Sequence, residues 1–150
     1  MADIKTPEAR SQNMAAIRSK NTNPEVFFRK ALYSLGYRYR LHERRILGHP
    51  DIYLPRYQAV VFVNGCFWHR HQECKYAYTP KTRIDFWEGK FRNNVARDKE
   101  VRKELINSGI RVLVVWECTV KKMMSSKEIL EEKMILVKNF LNSGQREMQI

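Results

Sequence analysis

Val60-Val61-Phe62-Val63-Asn64-Gly65-Cys66-Phe67-Trp68-His69-Arg70-His71-Gln72-Glu73-Cys74 is the stretch on which the fold turns. Tyr57 to Val63 is apolar nearly throughout, which reads as a strand covered on both faces. The chain then runs straight into a crowd of thiols, imidazoles and aromatic rings. Two soft thiols and an imidazole between Cys66 and Cys74 suit tetrahedral Zn²⁺. Phe67 and Trp68 lie inside the loop that such a metal ties down. There they are held outward, or against a partner, rather than free to collapse.

Working outward, Ile110 to Trp116 is a second fully apolar strand, expected to pair beside the first. Upstream, Asp51 to Leu54 is a short strand after the Gly48-His49-Pro50 turn. Tyr37 to Leu41 alternates apolar residues with Arg38 and Arg40, a half-buried strand with a basic face. Thr22-Asn23-Pro24-Glu25 is a helix start, with a capping side chain, Pro in the first turn and Glu three residues after Thr. Phe28, Ala31, Leu32 and Leu35 follow at helical spacing, and Gly36 ends the segment. Arg83 to Ser108 is a long helix with Ile84, Trp87, Phe91, Val95, Val101 and Leu105 on its inward stripe, closed by Gly109. Ser126 to Leu141 is a last amphipathic helix, after which the chain frays. Residues 1–21 are polar and basic, an arm ahead of a domain over 22–150. The expected fold is α/β, a single domain with a mixed sheet and helices on its faces.

The chain of 150 residues carries 28 basic and 16 acidic side chains, a net charge of +12. An excess of that size serves a polyanion, most commonly nucleic acid, more than it serves solubility. No apolar run approaches the ~20 residues of a membrane span, and Met1-Ala2-Asp3-Ile4-Lys5 opens without an apolar leader. The expectation is a cytoplasmic monomer with no membrane partner.

Cys66, His71 and Cys74 supply three ligands of a zinc site, and Cys118, just past a core strand, supplies the fourth. The alternative is three cysteines buried as small hydrophobes, and His69 competes with His71 as the imidazole. Asp51 reads either as a turn residue or as a hard-oxygen ligand for Mg²⁺. Asn64-Gly65 reads either as a tight turn or as an amide placed to touch a phosphate. Glu25 can simply close the capping box on Thr22. Asp98 falls on the apolar stripe of the long helix, where a carboxylate needs a partner, and His69 would be one. Phe67 and Trp68, with Met14 in the arm, are either core or a wedge that enters a base stack.

These residues also carry a resemblance. Arg10-Ser11-x-Asn13-Met14, Asn21-Thr22-x-Pro24-Glu25, Gly48-x-Pro50-Asp51, Gly65-Cys66-Phe67-Trp68-His69-x-His71, Phe86-Trp87, Asn94-Val95-x-Arg97-Asp98 and Val115-Trp116-Glu117-Cys118 resemble the very-short-patch repair (Vsr) endonuclease family. The matches run in order from about residue 10 to about residue 120. The resemblance implies a restriction-endonuclease-like, PD-(D/E)xK-type fold with a structural zinc. It implies an enzyme that uses Mg²⁺ to nick double-stranded DNA on the 5′ side of the thymine in a G·T mismatch. By the same resemblance, Asp51 and the Val63 carbonyl hold Mg²⁺, and His69 is the general acid/base oriented by Asp98. Glu25 is the acid near the metal, and Cys66, His71, Cys74 and Cys118 hold zinc. Met14, Phe67 and Trp68 form the DNA wedge.

The chain departs from the family at Val63-Asn64, where the repair enzyme has Thr-His, and it spaces His71 and Cys74 one residue wider. Asn64 cannot carry a proton, so a role there is limited to contact with a phosphate or a water. Two other readings stand beside mismatch repair. One is a nicking endonuclease of the same fold without a mismatch requirement; the other is a zinc-stabilised DNA-binding protein without catalysis.

Overall fold

The computed structural model describes residues 21–150. Its first element, helix α1 (Asn23–Ser34), begins where the capping signals lie: the Thr22 hydroxyl accepts from the Glu25 N–H at 3.4 Å. The Glu25 carboxylate, however, reaches back to the N–H of Asn21 at 2.9 Å rather than to Thr22. Phe28 and Leu32 are fully buried, whereas Leu35 is exposed at the helix end. Gly36 follows at φ +95°, a left-handed stop that favours glycine.

The sheet has five strands, β1 (Arg40–Leu41), β2 (Ile52–Leu54), β3 (Ala59–Asn64), β4 (Arg111–Trp116) and β5 (Glu147–Gln149), in spatial order β1-β2-β3-β4-β5. β1, β2 and β3 pair antiparallel. β3 and β4 are parallel from Ala59↔Arg111 to Asn64↔Trp116, and β4 and β5 are parallel too. The two apolar strands are thus central neighbours, as their patterning requires. Three helices complete the order: α2 (Ile84–Asn107), α3 (Glu117–Ser125) and α4 (Lys127–Leu141). This is a single mixed α/β domain.

Each central strand is buried on both faces. Ala59, Val61, Leu113 and Val115 join Phe28, Leu32, Val120, Met123, Val137 and Phe140 in one core, roofed by α1, α3 and α4. Val60, Val112, Val114 and Trp116 form a smaller core with Leu105 and Cys66, under α2. Gly48, at φ +83°, lets the turn before β2 press onto α2; a Cβ there would stand 2.6 Å from Val101 Cγ1.

Four sequence expectations change. Only Arg40 and Leu41 of the Tyr37–Leu41 stretch pair as strand, and both are exposed. Tyr37 turns into the core against Tyr57 instead. Tyr57 belongs to a 3₁₀ turn, Pro55–Tyr57, ahead of β3. On α2, Ile84 and Val95 are exposed at 46% and 44%. That helix of 24 residues is roughly 36 Å long, whereas the six-residue strand beneath it spans roughly 20 Å, so its N-terminal half overhangs the sheet. The C-terminal residues do not fray: β5 extends the sheet, Trp116 N–H donates to Ile150 O, and Ile150 N–H donates to Val114 O, both at 3.0 Å. No helix among the described residues is long and apolar enough to cross a membrane.

Candidate active site and metal centre

Asp51 sits just ahead of β2, and its Oδ2 accepts the Val63 N–H of β3 at 2.7 Å. Burial pushes this carboxyl up to about 7. The Val63 bond works against that rise, the neighbouring Glu25 adds to it, and His69 lowers it. Glu25, in the first turn of α1, is 2% exposed. Its Oε1 lies 3.1 Å from His42 Nε2 and 3.5 Å from Arg29 Nη1. Among the described residues, that oxygen is nonetheless buried without a partner in hydrogen-bonding geometry. Ligand atoms of Glu25, His42 and Asp51 all lie within 4.8 Å of one another, so the three could hold a metal ion. A buried carboxylate oxygen that lacks a well-aligned hydrogen bond, beside a second, reluctantly ionised carboxyl, fits a cation well.

His69 lies in the loop after β3. Its Nδ1 is 2.5 Å from Asp98 Oδ2 on α2, so the partner expected for Asp98 is in place. That contact occupies one ring nitrogen and leaves Nε2 for other chemistry. Asn64, at the end of β3, is buried and lines a cavity of about 480 Å³ with His49, His69, Arg97, Asp98 and Arg102.

Cys66, His71, Cys74 and Cys118 present ligand atoms within 4.8 Å of one another. His71 Nδ1 is 3.3 Å from Cys118 Sγ and 3.7 Å from Cys66 Sγ. Cys118 occupies the first turn of α3, where its N–H donates to Cys66 Sγ at 3.4 Å. Burial pushes the Cys66 thiol up to about 12, with Cys118 and Cys74 beside it. Burial, with Lys122 nearby, lowers His71 and favours the neutral imidazole a metal needs. Three thiols crowded together become thiolates only with a cation among them, so the donor set fits zinc. His71 also stacks on Trp116 at 4.3 Å and 9°.

Phe67 and Trp68 meet edge to face at 5.1 Å, both half-buried. Phe67 lies in a ring of Tyr78, Trp87 and Phe91 at 5.2, 5.6 and 5.1 Å. Trp68 stands nearer the rim, 5.8 Å from Trp87. Asn94 Nδ2 donates to the Trp68 carbonyl at 3.1 Å and ties the loop to α2. Arg70 holds it from within: its guanidinium donates to the carbonyls of Phe67, Ala77 and Tyr78 and covers the Phe91 ring at 3.9 Å. Met14 lies outside the described residues.

Sequence reasoning missed His42, Trp87 as a neighbour of the wedge pair, and Arg70. His42 follows a basic strand and reads as part of its polar face. Its left-handed φ of +50° is the structural feature that turns it inward.

Two neighbouring carboxyls, one from a helix start and one from a strand start, with an acid-paired imidazole nearby, are the equipment of a hydrolase. Comparison with known proteins gives the family. Residues 2–76 match the family model "DNA mismatch endonuclease Vsr", and the chain belongs to that family of DNA endonucleases. It is 45% identical over 130 residues to the type II nicking enzyme V.NmeAIP of Neisseria meningitidis, covering 87% of this chain and 92% of the relative. It is 47% identical over 118 residues to the type II nicking enzyme V.XorIIP of Xanthomonas oryzae, covering 79% and 86%. With the DNA mismatch endonuclease Vsr of Escherichia coli it shares 38% identity over 121 residues, covering 81% and 77%.

Proposed function

We propose that this endonuclease nicks double-stranded DNA on the 5′ side of the thymine in a G·T mismatch, on a restriction-endonuclease-like fold. The observation that carries the reading is the convergence at the end of β3. There Asp51 is bonded to Val63 N–H at 2.7 Å, Glu25 is buried beside it, and His69 is paired with Asp98. Asp51 and the Val63 carbonyl would hold Mg²⁺, which when bound supplies positive charge against the phosphodiester. His69 takes the proton of the attacking water at Nε2, and Asp98 steadies the imidazolium that forms. Water oxygen bonds to phosphorus as the bond to the 3′-oxygen breaks, and a solvent water protonates the departing oxygen. Asn64 donates its amide to the phosphate, a contact that needs no titrating group. Cys66, His71, Cys74 and Cys118 would hold a structural zinc. Residues 1–21, with Met14, would serve as an arm on the duplex, and Phe67 and Trp68 would enter the stack.

A second reading, nicking without a mismatch requirement, is favoured by Val63-Asn64 and by relatives named as type II nicking enzymes. One panel separates the two: G·T and G·C duplexes of the same sequence, with Mg²⁺, cut by wild type and by Asp51→Ala. Nicking confined to the G·T duplex and lost in the variant supports mismatch repair. Equal nicking of both duplexes supports the second reading, and cleavage by Asp51→Ala within a few-fold of wild type removes Asp51 from the site.

A further inference from the structure

The acidic pocket contains an imidazole that the nuclease assignment does not use. We propose that His42, together with Glu25, is a ligand to the cation that Asp51 holds, so that the site takes a first-row transition ion such as Mn²⁺ in preference to Mg²⁺. The proposal rests on the reading of Asp51 as a metal ligand given above.

The geometry comes from three separate parts of the chain. Glu25 arrives from the first turn of α1, Asp51 from the start of β2, and His42 from the residue after β1. His42 is anchored by its own N–H, which donates to the Asp51 carbonyl at 3.1 Å, so imidazole and carboxylate are tied together through the backbone. His42 Nε2 and Glu25 Oε1 are 3.1 Å apart. Two ligands at right angles on an ion with bonds of about 2.1 Å stand about 3 Å apart, so this spacing is that of adjacent octahedral positions. The two atoms do not form a well-aligned hydrogen bond, since Oε1 has no partner in hydrogen-bonding geometry among the described residues. Glu25 is 2% exposed, so that oxygen is shielded from bulk solvent.

The other neighbours bear on the choice of ion. His42 Nε2 is 3.2 Å from Asn21 Oδ1 and can donate to it when no cation is present. Coordination requires the tautomer with its proton on Nδ1. Arg29 Nη1 is directed to the same Asn21 oxygen at 2.8 Å and stays 3.5 Å from Glu25 Oε1. Two carboxylate oxygens alone would suit Mg²⁺. An imidazole added to them favours Mn²⁺, because nitrogen donors bind transition ions better than they bind Mg²⁺.

The test uses the full, zinc-loaded chain and Mn²⁺ alone as the probe, without DNA. Free Mn²⁺ is titrated by electron paramagnetic resonance, Mg²⁺ affinity is obtained by competition, and pulsed measurements detect ¹⁴N coupled directly to the ion. Wild type should bind Mn²⁺ at least tenfold more tightly than Mg²⁺, with a ¹⁴N signal. His42→Ala should lose the signal attributable to this ring and at least tenfold in Mn²⁺ affinity, while Mg²⁺ affinity changes less than threefold. His42→Gln keeps a hydrogen-bonding side chain and guards against a folding failure; it should behave as His42→Ala does. Restoration of Mn²⁺ binding by His42→Gln would make His42 a hydrogen-bonding support and overturn the proposal, as would unchanged affinity in both variants. Asp51→Asn separates the two levels of the argument. If it abolishes Mn²⁺ binding while the His42 variants do not, only this inference falls. If it binds as wild type does, the reading of Asp51 falls with it.

Discussion

At the residue scale, Asp51 is a carboxyl whose ionisation is opposed by burial. Its folded-state pKa, about 7, lies above the ordinary 3.8. The fold therefore favours the protonated form. That stabilisation is fully present below about pH 4 and is lost as pH rises through about 7. Asn, which cannot ionise, escapes the loss. In the absence of Mg²⁺, Asp51→Asn should be more stable than wild type at pH 8 by on the order of 3 kcal/mol, and nearly equal to it at pH 4. Urea melts at the two pH values measure this. A variant that gains nothing at pH 8 would show that Asp51 ionises without strain. Added Mg²⁺ should stabilise wild type and leave the variant unchanged.

At the scale of elements, the cluster of Cys66, His71, Cys74 and Cys118 joins a loop to a helix. Cys66 to Cys74 belong to the loop after β3, and Cys118 belongs to α3. Cys118→Ser should strip the metal or unfold the chain, because a structural zinc contributes folding energy outright. Metal content by mass and thermal unfolding decide it: a folded, zinc-free wild type would dispose of the prediction. The same elements show what sequence could and could not reveal. β3 and β4 were legible because a strand buried on both faces has no polar register to hide in. α3 was not, because it starts directly after β4 with no Gly or Pro to announce it. β5 was missed because Glu147 and Gln149 look like solvent-facing tail, whereas Met148 alone packs inward. Asp98 was legible as a misfit on an apolar stripe, and its pairing with His69 explains it. His42 was not legible, since only the chain reversal after β1 aims it at Glu25.

At the scale of the whole molecule, charge and shape set how DNA is met. With a net charge of +12, binding should weaken steeply with salt. Each phosphate contact contributes a slope of about 0.9 in log K against log salt, and several contacts are expected. A flat response in fluorescence anisotropy titrations would exclude a phosphate-led interface. The proposed wedge makes a sharper demand. Unstacking costs a few kcal/mol per step, and a mispair has less stacking to lose. Trp68→Ala should therefore reduce nicking of a G·T duplex by tenfold or more, and nicking beside an unpaired gap by much less. Equal losses in kcat/KM on the two substrates would make Trp68 a packing residue.

The two outer strands of the sheet, finally, bear on whether a second copy can extend it. β1 has two residues and β5 three, and Arg40 and Glu147 put charge on those rims. Short, charged edges resist pairing with a second chain. Edges of this kind are consistent with a protein that meets a duplex as a single copy. Sedimentation should accordingly show a monomer at micromolar concentration. A single copy with one candidate active site would make one scission and leave the complementary strand intact to template whatever follows.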